Sequence, residues 1–383
     1  MKNILYIWKG EYPWDVRAER ICKTLADAGF NVVLLARWNE GQLFEEDFDN
    51  YHIRRAGVNR SRFFTTPVFF NPYWKNSIQN AVNDYNIDLI ISRDILLSES
   101  ASDIAHKSQI PNIIDMAENY PAAMKGWKKY NDNLWRKLAV HYLNIPELVE
   151  KRAVSKADGI ITVCEEQINR LKHQFNFPEV KCSVVMNTPD QNDLIANTVK
   201  KDYMTFGHHG FMSAEKGLET FLKGFVMAAS VLPDIRLLLA GDGECFNIIS
   251  QIADSSNLRD KITLTGRYDK SQIQKLLDQI DIGIIPYQVN DFNNTTLHNK
   301  LFDFFATGKP ILSSEILPTQ KILKETNAGK SYDLSSPDKV RDAIFDFVKL
   351  DLQNYSINSL NAFQEYNWTN DRIRLVNFIE KYV

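Results

Sequence analysis

Cysteine is scarce in this chain of 383 residues, and its four cysteines stand far apart. They make no C-x-x-C pair, which excludes a disulfide framework and indicates a reducing, cytosolic compartment. The sequence also lacks metal-ligand spacings such as H-x-x-x-H, so we expect no metal site. The D-F-D run at 47–49 lies in an acidic segment and is interpreted as solvated surface.

Long hydrophobic runs are absent as well. None approaches the ~18–20 residues that span a bilayer, and the apolar run after Met1-Lys2-Asn3 is too short for the core of a signal peptide. Neither sign of charge dominates, because 45 Lys and Arg stand against 48 Asp and Glu, and the net charge of −3 argues against a general nucleic-acid binder. What remains is an ordinary globular composition, long enough for two domains of about 100–200 residues.

Short apolar runs alternate with helical patterns along both halves of the chain. The predicted strands cover residues 3–8, 31–36, 88–92, 112–115, 159–163 and 182–186, then 204–210, 235–241, 261–266, 282–287 and 310–314. Such repetition is typical of α/β proteins with parallel sheets. We predict two Rossmann-like domains, 1–190 and 203–362, joined by a polar linker at 187–202. Ligands are expected at the carboxyl ends of the strands, in a cleft between the domains.

The segment SAEKGLETFLKGF predicts a helix with an unusual first turn. Ser213 is a good N-cap residue, but Lys216 occupies the third helical position, where a capping box has Glu or Gln. A cation there opposes the macrodipole by roughly 0.3–1 kcal/mol, and Gly217 inside a helix costs about 1 kcal/mol. Both features favour a phosphate bound at this helix start. Alternatively, Lys216 extends into water and Gly217 packs against a neighbour.

The segment NNTTLHNKLFDFFATGKP predicts a second such helix, which begins at Leu297 and is capped by Thr295 or Thr296. Lys300 and Asp303 fall on the polar stripe of a helix that is otherwise aromatic. We interpret this stripe as a site for a diphosphate on the lysine and a ribose on the aspartate. The alternative is a solvated face with an i,i+3 ion pair, worth at most about 0.5 kcal/mol.

An ordered set of motifs runs along the chain. In the second half it comprises GFMSAEKGLETFL, LLLAGDGE, ITLTGRY and KLFDFFATGKPIL, and in the first half it includes ADGIITVCEEQINRL. This set resembles the family 4 glycosyltransferases, whose GT-B fold has two Rossmann-like domains with parallel sheets facing a central cleft. The final segment, 363–383, resembles the helix that crosses back to the N-terminal domain in that family.

The resemblance implies a retaining, hexosyltransferase-type enzyme that uses a nucleotide-sugar donor. The acceptor would be a saccharide or a lipid-linked saccharide in the assembly of a bacterial surface polysaccharide or glycolipid. By analogy, Lys216 neutralises the diphosphate, Asp303 replaces the glutamate that usually holds the ribose, and no metal or other cofactor is required. The further donor-binding residues that it implies are Gly210, Gly241, Gly243, Gly266, Arg267, Tyr268, Thr295, Thr296, Leu297, His298 and Lys300.

Three positions depart from the family pattern. Thr295 replaces a glutamate, Phe211 an arginine and Ala117 a histidine. Asp115 and Glu118 then remain as acids near a strand end, and we assign them to the acceptor as candidate catalytic residues; the alternative for Asp115 is a helix cap. The departures leave open a catalytically weak relative that acts as a structural or regulatory partner subunit. A sugar-nucleotide epimerase of similar fold is disfavoured by the KLFDFFATGKP segment.

Two segments of the first half mix basic and aromatic residues, at 59–75 (NRSRFFTTPVFFNPYWK) and at 125–137 (KGWKKYNDNLWRK). This composition is typical of a surface that binds anionic lipid, to which each cation contributes about 1 kcal/mol. We therefore hypothesise a cytoplasmic protein attached peripherally to the inner face of the membrane. The alternative is that the aromatic residues lie in the core and the cations on an ordinary surface.

Overall fold

The structure, a computed structural model, describes residues 1–13, 15–61, 65–66, 71–197, 199 and 201–383. They form two compact units, of which the first comprises Met1–Asn187 with Asp371–Val383 and the second comprises Thr188–Asn370. Across the described ranges, no helix is both long enough and apolar enough to cross a membrane.

The first unit is built on an eight-stranded sheet. Its strands are β1 (Asn3–Glu11), β2 (Asn31–Arg37), β3 (Glu45–Phe48), β4 (Tyr51–Ala56), β5 (Leu89–Arg93), β6 (Asn112–Met116), β7 (Gly159–Thr162) and β8 (Cys182–Val184). Their order is β3-β4-β2-β1-β5-β6-β7-β8, and β3 and β4 form its antiparallel pair. The remaining neighbours pair in parallel, and their Ile, Leu and Val side chains are buried on both faces.

Helices cover this sheet. They are α1 (Val16–Asp27), α2 (Pro72–Asp84), α3 (Ser98–Ser108), α4 (Tyr120–Gly126), α5 (Lys128–Asn131), α6 (Leu134–Lys137), α7 (Ile145–Lys156) and α8 (Glu165–Phe175), with a π-helical segment at Leu138–Tyr142. In α1, Asp15 Oδ1 accepts a hydrogen bond from the Ala18 N–H at 2.9 Å and caps the helix start. The apolar stripe of this helix, including Ile21 and Leu25, is buried.

The second unit contains a six-stranded, wholly parallel sheet. Its strands are β9 (Met204–His209), β10 (Ile235–Ala240), β11 (Ile262–Leu264), β12 (Ile282–Ile285), β13 (Ile311–Ser314) and β14 (Gly329–Tyr332), in the order β11-β10-β9-β12-β13-β14. The helices are α9 (Leu218–Ala229), α10 (Phe246–Ser255), α11 (Ile273–Asp278), α12 (Asn299–Ala306), α13 (Leu317–Thr326), α14 (Pro337–Phe347), α15 (Leu352–Glu365) and α16 (Trp368–Ile379). Two parallel sheets with flanking helices confirm the predicted α/β class.

The end of the chain belongs to the first unit from Asp371 onward. The Tyr382 hydroxyl donates to the Asp158 carbonyl at 3.2 Å, and a Cβ at Gly159 would lie 2.5 Å from that hydroxyl oxygen. Residue 362, the predicted domain end, lies inside α15. The second unit instead ends at Asn370, within α16.

Candidate functional site

Glycine turns meet at the carboxyl ends of three neighbouring strands of the second unit. Gly210 follows β9, Gly241 follows β10 and Gly266 lies just beyond β11, at φ of +109°, +140° and +67°. A Cβ at Gly241 would lie 2.0 Å from the Gly210 carbonyl oxygen, and one at Gly243 would lie 2.5 Å from the Met212 carbonyl oxygen. Side chains do not fit at such contacts. We call Gly210, Gly241, Gly243 and Gly266, all predicted site residues, the glycine stack.

The predicted helix start at Ser213 is wrong in detail. Its hydroxyl donates to the Glu215 carboxylate, and Ala214–Lys216 form a 3₁₀ turn. The α-helix α9 begins only after Gly217, which has φ of +59° and whose Cβ would lie 2.2 Å from the Pro286 carbonyl oxygen. The Pro286 carbonyl, distant in the sequence, therefore leaves room only for a glycine at position 217, and the helix begins directly after it. Lys216 projects from the turn before the helix rather than from its first turn.

The helix α12 also begins later than predicted, at Asn299, and no side chain caps its start. Thr295 is not the cap, because its hydroxyl donates to a backbone carbonyl four residues earlier, at 2.6 Å. Thr296 Oγ1 is buried and has no hydrogen-bond partner among the described residues. Four predicted site residues thus form the loop before α12: Thr295, Thr296, Leu297 and His298.

Two lysines approach the same buried aromatic ring. Lys216 Nζ lies 4.2 Å, and Lys300 Nζ 5.7 Å, from the centre of the Tyr287 ring. Lys300 also borders the glycine stack, since a Cβ at Gly210 would lie 3.0 Å from its Nζ. Within the described part of the chain, no carboxylate oxygen lies within 4.0 Å of either ammonium nitrogen. We call Lys216 and Lys300 the lysine pair; two half-buried cations without a paired anion suit a phosphate group.

The positive charge of the candidate site comes from the lysine pair and not from the histidines of the site. Burial lowers the pKa of Lys300 to about 8, partly offset by Asp303, so this lysine is protonated at neutral pH. Burial, together with the positive charge of Lys300, lowers the pKa values of His208, His209 and His298, that of His209 to about 3. These imidazoles are therefore neutral. No group of three or more His, Cys, Asp or Glu among the described residues could hold a metal ion.

Asp303 lies on α12, one turn beyond Lys300, with its side chain 15% exposed. Its Oδ2 is 3.4 Å from His209 Nε2, and His209 Nδ1 is 3.2 Å from the Tyr268 hydroxyl. Burial and the charge of Asp303 raise the pKa of Tyr268 to about 12, so the phenol keeps its proton. Arg267, beside it, is exposed. The linking histidine was not predicted, and the available signal was the pair of histidines that ends the strand MTFGHHG.

Asp115, in the first unit, does not have the predicted role. It is fully buried in β6, and its carboxylate accepts hydrogen bonds from Arg17 Nε at 3.0 and 3.1 Å, from Arg17 Nη2 at 2.6 Å and from the Tyr6 hydroxyl at 2.7 Å. Burial acts to raise its pKa, but Arg17, Arg93 and the Tyr6 hydroxyl together outweigh burial and the pKa is lowered. The carboxylate ties β6 to α1 through Arg17, and it does not cap a helix. Glu118 is half-buried in the loop between β6 and α4.

The two basic and aromatic segments differ in structure. In 59–75, Trp74 is 1% exposed and belongs to the core. Five of its basic and aromatic residues lie outside the described residues: Arg62, Phe63, Phe64, Phe69 and Phe70. In 125–137, Trp127 packs against two tyrosines, whereas Trp135 is 76% exposed. The lipid-binding hypothesis therefore depends on the second segment.

Two family models match the chain. The one described as Glycosyltransferase Family 4 matches residues 15–191, and the one described as Glycosyl transferases group 1 matches residues 203–349. An uncharacterized glycosyltransferase of Methanocaldococcus jannaschii is 23% identical over 264 residues, 65% of this chain and 64% of the relative. TuaH of Bacillus subtilis, named for teichuronic acid biosynthesis, is 37% identical over 60 residues, 16% of this chain and 15% of that protein. The chain thus spans less than two thirds of either relative.

Solved structures share the fold along the whole chain. Sucrose-phosphate synthase from Thermosynechococcus elongatus has a TM-score of 0.78 at 14% identity, covering 100% of this chain and 99% of that chain. Anabaena HepE, solved in complex with UDP and glucose, has a TM-score of 0.71 at 13% identity and covers 100% of both chains. With the two family matches, these likenesses establish that the chain belongs to the group 1, family 4 glycosyltransferases and has the GT-B fold.

Proposed function

We propose that this protein is a retaining glycosyltransferase of hexosyltransferase type, which transfers a sugar from a nucleoside-diphosphate sugar to a saccharide or a lipid-linked saccharide. The lysine pair carries the proposal: two half-buried ammonium groups approach the Tyr287 ring, that of Lys300 borders the glycine stack, and neither has a carboxylate partner among the described residues. A diphosphate supplies the missing negative charge. HepE, a protein of the same fold, was solved with UDP and glucose, which agrees with this ligand class.

The proposed reaction places new charge at the lysine pair. The bond between the anomeric carbon and the diphosphate oxygen breaks, and its electron pair goes to the diphosphate. The acceptor hydroxyl oxygen bonds to the same carbon, and its proton passes to the released diphosphate. Because negative charge grows on the diphosphate during this step, ammonium groups fixed beside it stabilise the transition state more than the bound substrate. In this scheme the lysine pair supplies the positive charge, and the scheme requires no metal ion.

The remaining parts of the substrates are assigned by the same logic. We assign Asp303 to the ribose, because a carboxylate accepts hydrogen bonds from two neighbouring hydroxyls. The loop Gly266–Tyr268 is our candidate for the base. In the first unit, Glu118 is our candidate for an acceptor contact, since Asp115 is enclosed by Arg17.

We further propose that the protein binds its acceptor at a membrane surface. The first unit exposes large apolar side chains along residues 134–148, between 39% and 78% exposed: Leu134, Trp135, Leu138, Tyr142, Leu143 and Leu148. We call these six residues the apolar row. Lys128, Arg136 and Lys137 are exposed beside it. Apolar side chains with neighbouring cations suit anionic lipid, which supports a peripheral protein that acts on a lipid-linked acceptor in surface polysaccharide or glycolipid assembly.

The test is thermal unfolding of the purified protein with UDP, GDP, dTDP, CMP or ADP, repeated with Lys216→Ala and Lys300→Ala. A ligand at ~100 times its dissociation constant stabilises the fold by about 2.7 kcal/mol. We expect one diphosphate to shift the wild type and both variants to lose the shift. Lys223→Ala is the matched control, because Lys223 lies on α9 but is paired with Glu219 at 2.6 Å.

The outcome separates the proposal from its alternative. If no nucleotide stabilises the wild type, the donor site is refuted and a non-catalytic partner subunit is the better description. If a diphosphate binds, the enzyme is tested with the matching nucleotide sugars, and NMR of the anomeric proton in the product shows whether the configuration is retained. Inversion would refute the retaining mechanism while leaving the donor site intact.

A further inference from the structure

A buried histidine lies between two residues of the proposed donor site, one from a loop and one from the helix α12. His209 ends β9, with its Nε2 3.4 Å from Asp303 Oδ2 and its Nδ1 3.2 Å from the Tyr268 hydroxyl. The 3.4 Å separation exceeds the roughly 2.7–3.2 Å of an N–H···O hydrogen bond. Accordingly, Nε2 is buried without a hydrogen-bond partner in the described part of the chain. The imidazole nitrogen Nε2 thus lies near the Asp303 carboxylate but forms no hydrogen bond with it in this structure.

The chemistry of the three groups fixes the tautomer. A neutral imidazole has one N–H donor and one lone pair, while a carboxylate only accepts. His209 therefore carries its proton on Nε2, toward Asp303, and its Nδ1 lone pair accepts from the Tyr268 hydroxyl. The result is a directed chain in which Tyr268 donates to His209 and His209 donates toward Asp303.

Packing holds the imidazole in this orientation. Phe304, next to Asp303 on α12, meets the ring edge-to-face, with centroids 5.8 Å apart and planes at 86°. Phe304 in turn lies over Gly283 of β12, where a Cβ would be 2.4 Å from the phenyl ring. The missing side chain at Gly283 admits Phe304, and Phe304 restricts rotation of His209.

We propose that His209 is a positioning residue that aims the Asp303 carboxylate at the ribose, so that the site selects ribonucleoside diphosphates over their 2′-deoxy forms. The inference rests on the proposed function, in which Asp303 holds the ribose. One carboxylate oxygen then accepts from the 2′-hydroxyl and the other from His209 Nε2, and the 3.4 Å separation contracts to hydrogen-bond length as the ligand binds. Without the imidazole the carboxylate loses this neighbour and is held less well in the orientation that binds the ribose.

The experiment compares dissociation constants for UDP, GDP, ADP and CDP with those for their 2′-deoxy analogues, measured by calorimetry on the full chain. The variants are His209→Gln, His209→Asn and His209→Phe. Glutamine places an amide nitrogen near the Nε2 position and still donates to Asp303. Asparagine reaches only the Nδ1 position, and phenylalanine keeps the ring without any donor. We expect the wild type to prefer the ribose form about 10- to 100-fold, His209→Gln to keep most of this preference, and the other two to keep about threefold or less.

A purely structural role predicts something different, namely equal weakening for both nucleotide forms. Equal weakening, or an unchanged ratio in folded His209→Phe and His209→Asn, overturns the inference. So does a wild type that prefers dTDP or shows no ribose preference. Should His209→Phe fail to fold, Tyr268→Phe removes the donor to Nδ1 and is expected to lower the ratio severalfold; an unchanged ratio there also overturns it. If the wild type binds no diphosphate at all, the proposed function itself fails.

Discussion

Lys300 Nζ lies 3.0 Å from the position that a Cβ at Gly210 would occupy. Gly210→Ala should therefore push the ammonium away from the phosphate site and weaken diphosphate binding. Because Gly210 has φ of +109°, the substitution should also lower the free energy of unfolding by about 1–3 kcal/mol. Urea unfolding and calorimetry check both effects. Gly126→Ala, with no neighbour within 4 Å of its Cβ, is the control and should change neither; unimpaired binding by Gly210→Ala would contradict the prediction.

Diphosphate affinity should fall as pH rises above about 8, the pKa to which burial lowers Lys300. Well below that pH the lysine is already protonated, and a diphosphate is largely ionised above its last pKa of about 6, so affinity should change by no more than about twofold between pH 7 and 8. Above pH 8, Lys300 has to take up a proton when the diphosphate binds, so affinity should fall about tenfold per pH unit. Calorimetry from pH 7 to 10 measures this. Lys300→Met should bind weakly without the added fall, and Lys223→Met should behave as wild type; a fall that persists in Lys300→Met would assign it to another group.

Asp115→Asn should destabilise the first unit by about 3–5 kcal/mol, because it leaves the buried Arg17 without its counter-charge. Asp103→Asn is the matched control: its partner Lys156 lies at 2.7 Å, but both side chains are 40% exposed, so about 0–1 kcal/mol is expected. Because the pKa of Asp115 is lowered in the folded protein, its contribution to the free energy of unfolding is present at neutral pH and is lost as the pH falls through that pKa. Urea unfolding tests the difference, and equal effects of the two substitutions would refute the structural role of Asp115.

Vesicle flotation should show binding to membranes of phosphatidylcholine with phosphatidylglycerol and little binding to phosphatidylcholine alone. Trp135→Ser with Leu143→Ser removes two members of the apolar row and should reduce the bound fraction severalfold, as should high salt. Val180→Ser, at a side chain 85% exposed elsewhere on the first unit, is the control. Salt-independent binding, or none, would exclude anionic lipid, and concentration-dependent dimers in sedimentation would instead assign the row to self-association.

The sheets were predictable where a buried strand is also largely apolar, as in β10 and β12. Strand β4 (YHIRRA) is mostly buried too, but its polar sequence was not predicted to be a strand. Strands β3 (EEDF) and β14 (GKSY) lie at sheet edges. β3 has no buried side chain and β14 is buried only at its two ends, so their short polar sequences carry little signal.

The candidate site was predictable only where local spacing creates it. Lys300 and Asp303 share a helix face because of helical geometry, which the sequence alone implies. The role of Gly217 depends on a carbonyl at Pro286, and that of Asp115 on Arg17, 98 residues earlier. His209 was not predicted for the same reason, since Tyr268 approaches it from a loop and Asp303 from α12.

The glycine stack has a consequence for redesign. Where the Cβ of residue 241 would sit, the Gly210 carbonyl already lies 2.0 Å away, so this part of the proposed donor site is main chain that point substitution cannot reshape without moving the loops. A change of nucleotide base preference has to be sought at side chains, of which Phe211 and Arg267 are exposed.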